Sequence, residues 1–357
     1  MTETPAKPHS HRRQWLILGV LVLILAVVIA AWCGYTWHRL NHARLPAAAG
    51  TTFIVKKGES LAALSHDLAG RSVLAHAWDL QVLARLRSES SRVQAGEYRV
   101  PAGATTETLL EMMVAGRVVM HAFTIVPGET FQSVLASLES NPAFTHDLKG
   151  LSFTAVMARL GHSSERPEGR FFPQTYDFPR GTPTSKVLAR AYAAMRDYLS
   201  AAWKGRAPDL VLESPYQALI IASIVEKETA VPAERPRIAG VFERRIKRGM
   251  ALGADPTVIY GLGDAYHGKL TRQDMKQDTP YNTYLHRGLP PTPICMPGKA
   301  AINAALHPAQ GTALYFVAKG DGTHVFSDTL AGQERMIRKY QLHRPPVQSP
   351  PKGSSGP

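Results

Sequence analysis

From Trp15 to Trp32 every residue is apolar or glycine, and no Asp, Glu, Lys or Arg stands between Gln14 and Trp37. A helix of about 20 apolar residues spans the hydrocarbon of a bilayer. Trp15, Trp32, Tyr35 and Trp37 fall at the ends of the run, where interface aromatics belong. The competing reading, a buried core helix, is set against by the position directly after a basic leader. Residues 1–14 therefore read as a cytoplasmic leader and 15–37 as an uncleaved transmembrane anchor. Ala47-Ala48-Ala49 lies too far downstream to be a normal cleavage site, and Trp32 is too bulky to precede a lipidated Cys33. Lys7, Arg12 and Arg13 precede the run and Arg39 and Arg44 follow it, a bias slightly favouring a cytoplasmic N-terminus. The rest of the chain would then lie outside the membrane.

That location bears on the net charge of +13. A basic chain can meet nucleic acid, anionic lipid or an acidic polymer. The outside location and the lack of a nucleic-acid motif exclude nucleic acid as a partner. Much of the charge falls in Arg235–Arg248, an amphipathic helix with Ile238, Val241, Phe242 and Ile246 inward, which reads as a solvated basic face. The only cysteines, Cys33 and Cys295, give no disulfide framework, and Cys295 reads as a small buried hydrophobe. No His/Cys spacing points to a metal, and no cofactor is expected.

The 357 residues allow two or three domains. Residues 38–50 read as a linker. A weak repeat follows: Phe53-Ile-Val-Lys-Lys-Gly58-Glu59-Ser60-Leu61 aligns with Phe123-Thr-Ile-Val-Pro-Gly128-Glu129-Thr130-Phe131. Both copies predict a strand, a glycine turn and a Ser or Thr cap opening a helix. The first, over 51–120, resembles a LysM module, a βααβ unit that binds N-acetylglucosamine-containing glycans. A purely structural βα unit fits it equally well. The second copy and a linker occupy 121–165. A further domain, 166–343, opens with Glu168-Gly-Arg-Phe-Phe-Pro-Gln-Thr-Tyr176 and predicts helices at 184–203, 214–230 and 235–248. From Gly253 the chain reads as loop-rich, then as a β-hairpin at Tyr315–Phe326. The Pro-, Gly- and Ser-rich tail, 344–357, reads as disordered. The fold class is α+β.

Glu226 and Glu228 end an otherwise apolar helical stretch. Their i, i+2 spacing turns them about 200° apart. Glu228 shares its face with Ile221, Ile224 and Val225, and Glu226 with Ala222 and Ser223. An apolar face and the negative end of a helix dipole both favour a protonated carboxyl. Pro232 stops the helix just beyond. A protonated acid in a cleft is what cleavage of a glycosidic bond requires.

Taken together, Glu168-Gly-x-Phe-x-Pro-x-Thr-Tyr176, Ala222-Ser-Ile-Val-Glu226-Lys-Glu228-Thr-Ala, Asp255-Pro-Thr257-Val-Ile-Tyr-Gly261, Tyr281-Asn282-Thr-Tyr284, Gly288-Leu-Pro-Pro-x-Pro-Ile294, His307-Pro and Leu314-Tyr-Phe-Val-Ala318 resemble the MltG (YceG-like) family. Its members are endolytic murein transglycosylases of bacterial inner membranes. The resemblance runs from residue 15 to about 340. Gln174 and Thr292 depart from it, where Asp and Gly are common. It implies a single-pass inner-membrane enzyme with its catalytic domain on the periplasmic side. That enzyme would cleave nascent peptidoglycan between N-acetylmuramic acid and N-acetylglucosamine without hydrolysis, and peptidoglycan synthases are candidate partners. The family's catalytic glutamate maps to Glu228. Around it, Glu226 suits a salt bridge or a backbone hydrogen bond. Glu168 and Asp255 suit groups that orient the acid, or caps. Tyr176, Tyr281 and Tyr284 suit sugar stacking or core filling. Asn282 suits an N-acetyl group or a turn, and Thr257 belongs to the same set. His307 and His324 read as structural. Two rivals stay open: a lysozyme-like hydrolase with Asp255 or Glu168 placing water, and a non-catalytic peptidoglycan-binding scaffold.

Overall fold

The computed structural model describes residues 10–342. Most of the basic leader and the tail from Arg344 lie outside the described residues. The chain forms two units, one running to His121 and including Pro179–Gly181, the other comprising Ala122–Phe178 and the residues from Thr182 onward. The second βα copy thus shares a unit with the residues that follow it.

In the first unit the order is α1 (Ser10–His42), β1 (Thr52–Val55), α2 (Leu61–Gly70), α3 (Ala77–Leu86), β2 (Gly96–Arg99) and α4 (Thr106–Val114). β1 and β2 pair antiparallel with Phe53 opposite Tyr98, and their rings stack 5.7 Å apart. Leu64, Leu68, Leu80, Leu83 and Leu110 complete this core. α1 is long and apolar enough to cross a membrane, and its apolar side chains from Leu16 to Ile29 are exposed. Its last turn is different. Leu40 is buried, Arg39 pairs with Asp79 at 2.5 Å and lies over the Trp78 ring, and Asn41 accepts from Arg87. Residues 38–42 are therefore helix, not linker: Leu40 gains a buried seat, and no proline interrupts the helix before Pro46.

The second unit begins along β3 (Met120–Thr124) and continues through α5 (Phe131–Ser140), β4 (Phe144–Thr145), α6 (Phe153–Arg159), β5 (Thr175–Pro179), β6 (Thr182–Pro183), α7 (Thr184–Lys204), α8 (Pro215–Glu228) and α9 (Arg235–Lys247). It closes with α10 (Asp255–Leu262), α11 (Lys299–Leu306), β7 (Tyr315–Ala318), β8 (His324–Ser327) and α12 (Leu330–Ile337). β3 pairs with β5, β4 runs parallel to β6, and β7 and β8 form the expected antiparallel hairpin. One core gathers Phe131, Phe171, Tyr176, Leu188 and Met296; another packs α8, α9 and α11 through Ile221, Ile224, Phe242 and Ile302.

The repeat recurs in hydrogen bonds. Glu59 Oε2 accepts from Lys56 N at 2.9 Å, and Glu129 Oε2 accepts from Val126 N at 2.8 Å. Ser60 caps α2 through Ala63 N, and Thr130 caps α5 through Ser133 N. The loop-rich reading after Gly253 needs correction, because α10, α11 and α12 lie there. The Asp255-Pro256 pair opens α10: a proline in the first turn gives up no hydrogen bond that the helix needs. α11 is alanine-rich and buries Ala301, Ala304 and Ala305 against α8.

Gly169 and Gly150 share φ +78°, yet a Cβ on Gly169 would sit 2.5 Å from Pro293 Cβ, whereas one on Gly150 meets nothing within 4 Å. Gly150→Ala should cost only the left-handed backbone, about 1–2 kcal/mol. Gly169→Ala should cost about 1–3 kcal/mol more through overpacking. Urea unfolding of both variants checks this, and equal losses would refute the close approach.

Candidate active site

α8 starts at Pro215 behind the Ser214 cap and is buried at every residue from Ala218 to Val225. The apolar-face argument therefore does not separate the two glutamates, because α8 has no polar face above them. Their partners do. Ser223 Oγ accepts from Ile294 N at 3.0 Å, and the Cys295 thiol donates to Ser223 O. Met296 bonds Glu129 O and Gly128 N. This fixes the chain that leads to Gly298, whose N–H donates to Glu226 Oε2 at 2.8 Å. Arg235 donates to Glu226 Oε1 at 3.2 Å. Glu226 is thus consumed by a salt bridge and a backbone hydrogen bond at the start of α11.

Glu228 is the last residue of α8, and Thr229 is already extended. The Glu228 carboxyl has no hydrogen-bond partner among the described residues. It opens on a cavity of about 260 Å³ shared with Arg245, Gly253, Asp255, Tyr284, Phe316, His324 and the α12 residues Gln333 and Ile337. On its other side it borders a shallow cleft lined by Pro127, Gly128, Thr229 and Arg235. Glu228 keeps some accessible surface at these hollows, while protein atoms crowd its carboxyl. Burial pushes it up from 4.5 to about 8, Asp255's charge adds to the rise, and Arg245 opposes it.

Each neighbour is held. Tyr284 OH donates to Asp255 Oδ1 at 2.6 Å. Arg245 Nε donates to Leu314 O at 2.7 Å and Nη1 to Leu252 O at 2.7 Å. Gly253, at φ +58°, leaves room for both, since a Cβ there would lie 3.2 Å from Arg245 Nη1 and 3.3 Å from the Tyr284 ring.

Glu168 lies elsewhere, on a cavity of about 500 Å³ with Tyr260, Tyr281, Lys227 and Ile259. It accepts from Phe131 N at 3.0 Å and from Tyr260 OH at 2.9 Å. Burial raises it to about 7 against those hydrogen bonds. Tyr281 bonds Thr292 at that cavity.

Three expected site residues are structural. Tyr176 is fully buried, with its hydroxyl on Phe172 O, so it cannot stack on a sugar. Asn282 is buried, donates to Met275 O and Gln277 O, and accepts from Tyr284 N: it holds a turn and has no amide left for an N-acetyl group. Thr257 bonds Ala254 O and Thr283 inside the protein. The solvated reading of α9 holds for Arg237, Lys247 and Arg248, which are exposed, but not for Arg235, Arg244 and Arg245, which bond protein acceptors. Arg245 follows Val241 by one helical turn, so the inward stripe had marked its direction. His324, read as structural, lines the Glu228 cavity and pairs with Glu234. Among the described residues no group of His, Cys, Asp and Glu side chains is arranged to hold a metal ion.

The model of the YceG-like family matches residues 53–339. A Bacillus subtilis (strain 168) protein named endolytic murein transglycosylase is 28% identical over 304 residues, 80% of this chain and 83% of its own. A protein of that name from Streptococcus pneumoniae serotype 2 (strain D39 / NCTC 7466) is 25% identical over 369 residues, 93% of this chain and 66% of its own. A solved YceG-like protein of Listeria monocytogenes superposes with TM-score 0.49 at 26% identity, over 81% of this chain and 99% of that one.

Two outcomes follow from the geometry. The folded protein keeps a Glu228 proton that the unfolded chain releases above pH 4.5, until the folded carboxyl ionises near pH 8. Stability is therefore lost as pH rises through that window. Glu228→Gln should match the wild type near pH 4 and exceed it at pH 8 by on the order of a few kcal/mol. Urea unfolding across pH reads the difference, and a pH-independent offset would refute it. Glu226→Ala strands Arg235 in a pair whose side chains are 15% and 8% exposed. It should cost about 3–5 kcal/mol by the same measurement.

Proposed function

The chain belongs to the YceG-like family, and from that membership we propose that it is a membrane-anchored endolytic lytic transglycosylase of peptidoglycan. In this reading α1 is a single-pass anchor in the cytoplasmic membrane, and both units stand on its outer side. The substrate is the glycan strand, cut between N-acetylmuramic acid and N-acetylglucosamine. The observation that carries the reading is the crowded Glu228 carboxyl, without a hydrogen-bond partner among the described residues, at the mouth of a cavity.

Protonated Glu228 donates to the glycosidic oxygen as the bond to C1 breaks. Its carboxylate then takes the proton of the muramoyl C6 hydroxyl, which attacks C1 of the same sugar. The product carries a 1,6-anhydromuramoyl end, and no water is consumed. The nucleophile is tethered, so its effective concentration is high. Asp255 keeps the proton on Glu228 before transfer, and Arg245 steadies the carboxylate afterwards. The hollows on both sides of Glu228 suit a polymer cut within its length.

A second reading, hydrolysis, draws on Asp255, which shares the cavity and could place a water. Glu168 opens on a different hollow and is less suited to that task. Mass spectrometry of digested glycan strands separates the two: anhydro ends support transglycosylation, reducing ends hydrolysis. Glu228→Gln should lower the rate by about 10²–10⁴-fold, and near-normal cleavage by that variant would overturn the assignment. Glu226→Gln should retain activity.

A further inference from the structure

Thr229, Glu234 and His324 form a cluster whose histidine lines the same cavity as Glu228. Glu234 ends the short turn that begins at Pro232. Its Oε2 receives His324 Nδ1 at 2.7 Å, its Oε1 accepts the His324 backbone N–H at 2.8 Å, and Thr229 Oγ1 lies 3.3 Å from Oε2. The side chains of His324 and Glu234 are only 9% and 10% exposed. Burial would raise the Glu234 carboxyl, but the His324 hydrogen bonds outweigh it and hold it below its ordinary range. A carboxylate on Nδ1 holds a proton there and sets the plane of the ring. Nε2 has no partner among the described residues, although the ring lines the cavity and rests edge-on against Phe316 at 5.5 Å. Nε2 keeps some accessible surface, so a ligand in the cavity can reach it. A sugar bound there offers hydroxyls.

We propose that His324 Nε2 hydrogen-bonds to a hydroxyl of the sugar held in the Glu228 cavity, and that Glu234 acts through it as a positioning residue. The hydroxyl is not the attacking one. Thr229 follows Glu228 directly and also accepts from Val231 N at 3.0 Å. The turn that carries the acid is thus tied to the residue that orients the sugar. The inference rests on the glycan-cleaving reading of this site.

The test uses the full chain in detergent with uncrosslinked glycan strands. His324→Asn places an amide where Nδ1 stood, keeps the Glu234 contact and loses the reach of Nε2. It should leave the thermal midpoint unchanged, while KM rises roughly tenfold, as for one lost hydrogen bond. His324→Gln, whose amide reaches the Nε2 position, should recover part of the loss. In the Glu228→Gln background, His324→Asn should weaken binding of a glycan fragment by the same factor. Wild-type KM and binding in His324→Asn would overturn the proposal. Losses in both variants that only follow the fraction of unfolded protein would do so too. The site reading fails separately, if Glu228→Gln still cleaves; the binding measurement on His324→Asn does not depend on which product forms.

Discussion

Every residue of α8 from Ala218 to Val225 is enclosed by α7, α9, α11 and the segment after Thr292. A helix packed on all sides can neither rotate nor slide without opening cavities, so its last turn is delivered to a fixed place. The two carboxyls there are distinguished by what that place supplies. Gly298 and Arg235 meet Glu226 and neutralise it. Glu228 meets no hydrogen-bond partner among the described residues. One acid becomes a clamp between α8 and α11, and the other is left in a crowded, poorly hydrated hollow where its proton is retained.

Retention alone would give an acid too weak to be useful. The surrounding charges hold Glu228 between two limits. Asp255 pushes toward the neutral form, and Arg245, fixed by the Leu314 and Leu252 carbonyls, pulls the other way. Because Arg245 is committed to backbone acceptors, it acts at a distance and does not close a salt bridge over the acid. A direct pair would have lowered Glu228 and removed its proton.

Much of this arrangement was legible in the chain. Periodicity placed α7, α8 and α9 within a residue or two, and the Ser214 cap with Pro215 marked the start of α8. The repeat was legible because Gly58 and Gly128 impose the same turn on similar neighbours. α10 and α11 were hidden, because prolines and glycines around them read as loop while their small residues are buried by contacts distant in sequence. For Tyr176 and Asn282 the sequence offered core filling and a turn beside sugar contacts, and only their burial decides between them. Arg245 was read as part of a solvated face, and the place of His324 was hidden, because a residue's type does not reveal which partner a distant loop will supply. Their partners, Leu314 and Glu234, lie 69 and 90 positions away.

α1 carries one more consequence. It runs without a break from its exposed apolar stretch to His42, and its last turn is locked to α3 and α4 by Leu40, by Arg39 on Asp79 and by Asn41 on Arg87. A helix is a stiff rod rising 1.5 Å per residue, whereas a Gly- and Ser-rich tether wanders as a random coil. The first unit is therefore mounted on a post. Were α1 seated in a bilayer, the settling of Trp32, Tyr35 and Trp37 at the interface would set that unit's height above the lipid and the direction it faces. Inserting three or four residues after Trp37 would raise that unit by one helical turn or swing it about the post, a mechanical change that leaves every fold contact intact.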